Sequence, residues 1–368
     1  MMENFPLKQI VEPLLEWFRE NARTLPWRET PTPYRVWVSE IMLQQTRVEA
    51  VKPYFERFTE ALPDVQALAE CEEERLLKLW EGLGYYNRVR NMQAAARTVM
   101  EEYGGELPAD YEKLLALKGI GPYTAGAIAS IACGIPVSAV DGNVLRVITR
   151  VSADNSDIMK QSVRTRTERT LQNIMPADQA SAFNQALMEL GATVCLPNGA
   201  PLCDKCPWRE FCEARKNNLW QELPVKSRPK PRRIEEKTVF IIRDGEKIVL
   251  HKRPARGLLA GMYEFPNTGG HLTEEEALQW VKQQKLQPIH IRKLEPAKHI
   301  FSHVEWHMTG YVIRVDELAE NTSGMLFVEA AESEKRYPIP AAFAAYTRYM
   351  DIRLGNERFE KEQDLGKM

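Results

Sequence analysis

No histidine occurs before position 251, although the chain of 368 residues carries six. Acid–base or metal chemistry in that long histidine-free stretch must therefore run on carboxylates, thiols, phenols or amines. An excess of either charge is also missing. Lys and Arg number 49 against 51 Asp and Glu, a formal net charge of −2, so any nucleic-acid-binding surface would have to be a local patch. No uncharged run is clean enough to span a bilayer. The longest, GIGPYTAGAIASIACGIPVSAV at 119–140, is broken by glycine and proline and reads as a buried helix with flanking loops. The opening MMENFPLKQIVEPLLEWFRE is too acidic and amphipathic for a secretion signal. An intracellular chain is expected, in which thiols stay reduced. Cysteine is scarce, six in all, yet four lie within residues 195–212. Metal binding then leads over disulfides as the reason for that cluster.

What is present divides the chain in two. Through about residue 214 apolar residues recur at helical spacing. Leu7, Ile10, Val11, Leu14, Leu15 and Phe18 share one face of PLKQIVEPLLEWFRE. PYRVWVSEIMLQQTRVEAVKPYFERF, DVQALAECEEERLLKLWEGL and RTRTERTLQNIM behave alike, with glycine breaks at GLGYYN and KGIGPYT. After Arg215 the texture changes. KSRPKPRRIEEK at 226–237 is proline- and charge-rich and poor in hydrophobes, as a linker is. TVFIIRDGEKIVLHKR then gives two apolar runs around Asp244-Gly245, a hairpin signal. LTEEEALQWVKQQ reads as a helix with Thr273 and Glu276 spaced as a capping box, and MTGYVIR (308–314) and MLFV (325–328) read as strands. The expected domains are a helical one at 1–215, a basic linker at 216–236, an α+β domain at 237–353 and a polar tail at 354–368. No internal repeat is visible.

Cys195, Cys203, Cys206 and Cys212 follow the spacing C-x7-C-x2-C-x5-C. Zinc ribbons usually carry a C-x2-C knuckle at each end, and here there is one. An iron–sulfur cluster and a zinc ion both remain open on spacing alone. Cys71 and Cys133 sit in apolar helical contexts and are expected to be buried free thiols. In LLALKGIGPYTAGAIASIA, Gly119 and Gly121 form a tight turn between two helices, able to present N–H groups to a DNA phosphate or simply to turn the chain. Asp141 in VSAVDGNVLRVITR is placed to cap a helix, and the helix N-terminus would favour its ionised form. Glu40, beside Val36, Trp37 and Leu43 on a helical wheel, either reaches outward or is a carboxyl with a raised pKa. Two carboxyls in unlike environments are the usual apparatus for cleaving a glycosidic bond.

Together these features resemble the endonuclease III superfamily of helix–hairpin–helix DNA glycosylases, and LPWR, WVSEIMLQQTRV, WEGLGYYNRVRN, LKGIGPYTAGAI and AVDGNVLRV resemble its adenine DNA glycosylase branch, the MutY type, from about residue 5 to 350. The resemblance implies a mainly α helix–hairpin–helix glycosylase domain with an iron–sulfur cluster, followed by a C-terminal α+β MutT-like (nudix-fold) domain. It implies hydrolysis of the N-glycosidic bond of adenine mispaired with 8-oxoguanine or guanine in duplex DNA, the adenine being flipped from the stack. By motif position, Glu40 is then the acid on the adenine ring nitrogen, Asp141 stabilises the sugar cation, and Asn143 orients the site. Gln185 stands where some relatives carry a glutamate near the adenine, and Trp27 and Arg28 of LPWR are further candidates for the site. Gln45, Thr46, Leu83 and Tyr85 match residues that wedge into the duplex or touch the 8-oxoguanine strand. Tyr123 stands where bifunctional relatives carry a Schiff-base lysine, so base removal without efficient strand cleavage is implied.

The resemblance also assigns the four cysteines to one 4Fe-4S cluster. The family commonly has six residues between the first two; here LPNGAPL makes seven and lacks the basic residues that would meet phosphate, a task left to Lys205 and Arg209. GLLAGMYEFPNTGG resembles the start of the nudix fold, but TEEEALQWVKQQK lacks the glutamate spacing that holds magnesium, which implies a binding module. Phe301, Ser302 and His303 in HIFSHVEWHMTGY match the loop that reads 8-oxoguanine, and Ser302 could hydrogen-bond the purine edge. A metal site at His299, His303 and His307 is disfavoured by the strand-like local pattern. A cytoplasmic, nucleoid-associated monomer is expected. A bifunctional pyrimidine-lesion glycosylase, a nucleotide pyrophosphohydrolase and a zinc-containing DNA-binding module are the weaker alternatives.

Overall fold

The structure is a computed structural model that describes residues 5–227, 231–318 and 324–358. Two compact units emerge: Met1–Glu70 with Arg90–Pro229, and Cys71–Val89 with Lys230–Met368. The segment 71–89, which the sequence reading gave to the helical domain, therefore groups with the C-terminal sheet. Among the described residues every strand follows residue 232, and no helix is long and apolar enough to cross a membrane.

Helix α1 (Val11–Asn21) buries Leu14 and Leu15, a short 3-10 turn before it buries Leu7 and Ile10, and Val11 and Phe18 pack at the edge of the same core. Helix α2 (Pro26–Glu29) buries Trp27. Helix α3 (Pro33–Leu43) starts on Pro33, with the Thr32 side chain accepting from the Arg35 N–H at 3.3 Å. Eight of its eleven residues are buried, as expected of a helix apolar nearly all round. The long apolar pattern read as one helix breaks after Gln44. Gln45 has φ of 61°, and helix α4 (Val48–Ala61) follows. The next pattern also breaks, at Cys71-Glu72, into α5 (Val65–Glu70) and α6 (Glu73–Leu79).

Beyond α7 (Asn87–Glu102) and α8 (Tyr111–Ala116), the hairpin leads into α9 (Pro122–Ala127), which runs on as a π-helical stretch, Ile128–Ala132. The two hairpin glycines differ. Gly119 has φ of +80°, and a Cβ there would lie 2.7 Å from Asn91 Cβ, whereas Gly121 is extended with open space around it. Only Gly119 is thus demanded by the turn. Gly119→Ala should cost about 1–3 kcal/mol through left-handed strain and the Asn91 clash, measurable as a lower urea midpoint with an unchanged slope.

Helices α10 (Gly142–Val151), α11 (Gln161–Ile174) and α12 (Ala180–Thr193) close the core against α1. Helix α13 (Glu213–Lys216) follows the cysteine segment, and Trp208 in that segment donates its indole N–H to the Ile10 carbonyl at 2.8 Å. The expected linker is not free along its length. Arg150 donates to the carbonyls of Trp220 and Leu223 at 2.9 Å each, and Leu223 is buried. Residues 228–230 of it lie outside the described residues.

The second unit is built on a seven-stranded sheet. β1 (Arg233–Asp244), β2 (Lys247–Lys252), β3 (Tyr263–Glu264), β4 (Asn267–Gly269), β5 (Pro288–Ile300), β6 (Val304–Val315) and β7 (Met325–Glu329) give the order β3-β2-β1-β6-β5, with β4 on β1 and β7 on β2. β1 and β6 are parallel over Arg233–Arg243 and Val304–Arg314. Strand alternation sends Val239 and Ile241 to one core and Phe240 and Ile242 to the other. The turn from β1 to β2 is Gly245-Glu246, one residue beyond the expected site, with Gly245 at φ 58°. Helix α14 (Glu274–Gln283) carries the expected capping box and stacks Trp280 on Phe240 at 4.4 Å. β1 begins inside the expected linker. The start of the expected tail is packed rather than frayed: Leu354 is buried, and Arg358 donates to the carbonyl of Glu334 in α15 (Ala330–Arg336). Tail residues 359–368 lie outside the described residues.

Candidate active site

Asp141 ends an extended segment and caps α10. Its Oδ1 accepts the Val144 N–H and its Oδ2 the Asn143 side-chain N–H, both at 2.7 Å. Asn143 is held in turn by Arg146, which donates to Asn143 Oδ1 at 2.9 Å and to the Gly191 carbonyl at 2.8 Å. Helix α12 can come this close because position 191 is glycine: a Cβ would lie 2.7 Å from Asn143 Cβ. Glu40 projects from α3, is buried, and accepts the Tyr123 phenol hydrogen at 2.5 Å. The Tyr123 hydroxyl also lies 3.7 Å from Met188 Sδ.

Burial sets the charge state of this group. It pushes Glu40 up to about 7, with the Asp141 charge adding to the rise and the Tyr123 hydrogen bond and Arg28 opposing it. The Tyr123 phenol is raised well above its usual value by burial and by the two carboxylates. For Asp141, burial outweighs its hydrogen bonds and Arg146, so the shift is upward. The helix N-terminus by itself led to the opposite expectation.

Glu40, Tyr123, Asp141 and Asn143 line one cavity of about 690 Å³ together with Trp27, Arg28, Gln45, Thr46 and Gln185. That volume suits a flipped base. Gln185 is tethered by its Nε2 to Ser181 Oγ at 3.1 Å. Sequence reasoning missed Glu189 on the same wall. Burial pushes this carboxyl up, but Arg23 at 2.6 Å and Arg28 at 2.9 Å outweigh it and hold it low. It also missed Arg146. Arg146 and Arg150 sit four apart on a largely apolar helix, and that was the available signal.

The four cysteines of the first unit do not line this cavity. Cys195, Cys203, Cys206 and Cys212 are free thiols lining a second cavity with Arg150 and Trp220. Arg150 Nη1 lies 3.4 Å from Cys195 Sγ, and burial pushes Cys206 up to about 12. Arg146 Nε donates to the Cys195 carbonyl at 2.9 Å, so one guanidinium joins this segment to Asn143. Four thiols around one cavity suit an iron–sulfur cluster or a zinc ion. Lys205 and Arg209 are exposed, Arg209 paired to Glu210 at 2.8 Å. Of the two remaining cysteines Cys71 is buried as expected, whereas Cys133, which follows the π-helical stretch, is only partly buried.

In the second unit, Leu83 is buried while Tyr85 is exposed and held at φ 49°. Gln45 and Tyr85, both expected DNA contacts, thus share a left-handed backbone of the strained kind that clusters at binding sites. Phe301, Ser302 and His303 are the three-residue tip between β5 and β6. Phe301 packs on Trp306 at 4.8 Å, and Ser302 and His303 are exposed. Among the described residues no group of three or more His, Cys, Asp or Glu is gathered to hold a single metal ion, the three histidines at 299, 303 and 307 included.

Comparison with known proteins gives the class. Residues 38–173 match the HhH-GPD superfamily of base excision DNA repair proteins, and residues 238–348 match the NUDIX domain. A thermostable thymine-DNA glycosylase aligns at TM-score 0.52 and 28% identity over 57% of this chain and 96% of its own. Endonuclease III trapped as a covalent intermediate with DNA aligns at 0.50 and 25%, over 60% and 99%. The chain is thus a helix–hairpin–helix DNA glycosylase with a C-terminal nudix-like domain. It is 34% identical to mouse adenine DNA glycosylase, covering 96% of this chain and 80% of that protein, and 31% identical to the one from Buchnera aphidicola (strain APS), covering 87% and 89%. With the human enzyme it shares 36% identity over 79% of this chain, and it spans 64% of that protein's length. The chain belongs to the adenine DNA glycosylase family.

Proposed function

We propose that this chain hydrolyses the N-glycosidic bond of adenine opposite 8-oxoguanine or guanine in duplex DNA, as a monofunctional enzyme holding one 4Fe-4S cluster. The observation that carries the reading is a buried carboxyl poised near neutrality, Glu40, in one cavity with the capped carboxylate of Asp141. In this reading Glu40 gives its proton to the ring nitrogen of the flipped adenine, and the C–N bond electrons leave with the base. Tyr123 donates to Glu40 Oε2 and fixes the carboxyl's orientation. Asp141, its two oxygens each held by one donor, faces the developing sugar cation. Water then adds to the sugar and passes its proton to the Glu40 carboxylate, which is restored to its starting state. Trp27 and Gln185, which line the cavity, would flank the base, and Gln45 and Thr46, which line it too, would meet the DNA. The hairpin at Gly119 and Gly121 would meet phosphate through its N–H groups.

Cys195, Cys203, Cys206 and Cys212 would hold the cluster, which when bound supplies a rigid cross-link for the segment beside Arg146 and Arg150. In the nudix-like domain Ser302 at the β-hairpin tip would read the base opposite the adenine, with Phe301 and His303 beside it. Tyr85 and Leu83 would contact the same strand. A monomer working on nucleoid DNA in the cytoplasm completes the reading.

The test is single-turnover cleavage of a labelled duplex holding adenine opposite 8-oxoguanine, using protein whose iron content and visible absorbance are measured first. Strand breaks only after alkali are expected. Breaks without alkali would overturn the monofunctional reading and point to Lys226, the one lysine among the described residues that line the cavity. No release of adenine by iron-loaded, DNA-binding protein would overturn the proposal as a whole.

A further inference from the structure

Between α6 and α7 the chain makes a tight strap, residues 80–86. Its interior is fastened inward: the Trp80 indole N–H donates to the Gly84 carbonyl at 3.0 Å, and Arg88 donates to the carbonyls of Leu83 and Gly84 at 3.1 Å each. Trp80, Leu83 and Tyr86 are buried, while Tyr85 is 48% exposed. An ion pair with almost no access to water joins Lys78, just before the strap, to Glu81 within it. Lys78 and Glu81 have side-chain exposures of 6% and 1%, and Lys78 Nζ is 2.9 Å from both Glu81 oxygens.

Neither partner is satisfied within the strap alone. Lys78 Nζ also donates to the Tyr337 carbonyl at 3.1 Å, and the Glu81 oxygens accept the backbone N–H of Ile339 at 2.8 Å and of Gly355 at 3.2 Å. On the outer side of α6, Glu74 Oε1 accepts the Tyr263 hydroxyl at 2.5 Å. Tyr263, Tyr337, Ile339, Phe343 and Trp306 belong to one core, on which Phe301 of the hairpin tip packs. A desolvated carboxylate held by Lys78 and two backbone N–H groups is expensive to disturb and leaves its surroundings little freedom.

We propose that Lys78 and Glu81 are positioning residues that lock the Tyr85 strap to the core carrying Phe301–His303, so that strap and hairpin tip read the base opposite the adenine as one body. Their work is discrimination at that base, and the chemistry at Glu40 and Asp141 lies outside it. The inference rests on the proposed reading of the opposite base.

The experiment compares single-turnover rates for adenine opposite 8-oxoguanine and opposite guanine in the full-length wild type, Glu81→Gln and Tyr263→Phe, each with its iron absorbance and circular dichroism recorded. The wild type should favour 8-oxoguanine. Glu81→Gln should lower that preference about tenfold, the size of one lost charge-assisted hydrogen bond, by slowing the 8-oxoguanine duplex while the guanine duplex keeps its rate. Tyr263→Phe, which strands no buried charge, should shift the ratio in the same direction by less, and it decides the matter if Glu81→Gln does not fold. A ratio unchanged in the folded variants, or both rates falling together, overturns the positioning role and leaves the proposed function standing. A wild type without preference overturns the reading of the opposite base, and this inference with it.

Discussion

Asp141→Asn should bind a duplex carrying adenine opposite 8-oxoguanine about as tightly as the wild type and release the base on the order of 10³-fold more slowly, as expected when a preorganised charge facing a developing cation is removed. The fold should survive, because asparagine caps a helix as well as aspartate does and can still accept the Val144 N–H. One hydrogen bond is lost, since the Asn143 side-chain N–H now faces an amide that can turn only one oxygen to its two donors. The cost is about 1 kcal/mol. Gel-shift affinity and single-turnover release on the same preparation separate the effects. Unaltered release would show that Asp141 is a cap and nothing more.

Glu40→Gln should also silence the enzyme, by about 10²–10⁴-fold, and its pH behaviour should identify the proton donor. With its value raised to about 7, Glu40 holds the proton below neutrality and loses it above. The wild-type rate should therefore be flat below about pH 7 and fall roughly tenfold per unit above it, and the residual rate of the variant should not follow that curve. Stability moves with the same group. Burial raises the folded value above the ordinary 4.5 of a free glutamate, so between about 4.5 and 7 the native state binds more protons than the unfolded one. Wild-type stability should fall across that window as pH rises and level off beyond it. The variant has no such group, so its urea-melt stability should gain on the wild type by roughly 3 kcal/mol between the two ends of the window. A wild-type enzyme equally fast at pH 6 and 9 would remove Glu40 as the acid.

How much of this was legible beforehand differs from residue to residue. Glu40 could be picked out because it stands beside apolar neighbours on α3 and in a motif of the resembled family, but whether it reached outward or was buried stayed open in the string. Asp141 could be placed at a helix start from the local pattern, since capping is a contact of three residues. The four cysteines announced a metal or cluster by their spacing, and the change in texture near residue 215 marked a second domain. These features are local, or repeat with the period of a helix or strand, and a linear string records both.

The remainder required the chain to fold back on itself. Glu189 meets Arg23 and Arg28 across more than 160 residues. The direction of the Asp141 shift depended on burial by distant helices, which overcame the cap that local reasoning saw. Gly119 and Gly121 look alike in the string, but only one has Asn91 packed where a Cβ would go. The strap at 80–86 lies amid the helical half of the sequence, yet it joins the C-terminal core through Lys78 and Glu81, whose partners at 337–355 lie some 260 residues away. Periodicity carries the identity of an element and its buried face. Which far element covers that face, and whether a buried charge finds its partner there, is settled by packing, because the desolvation that sets those energies exists only once the layers have closed.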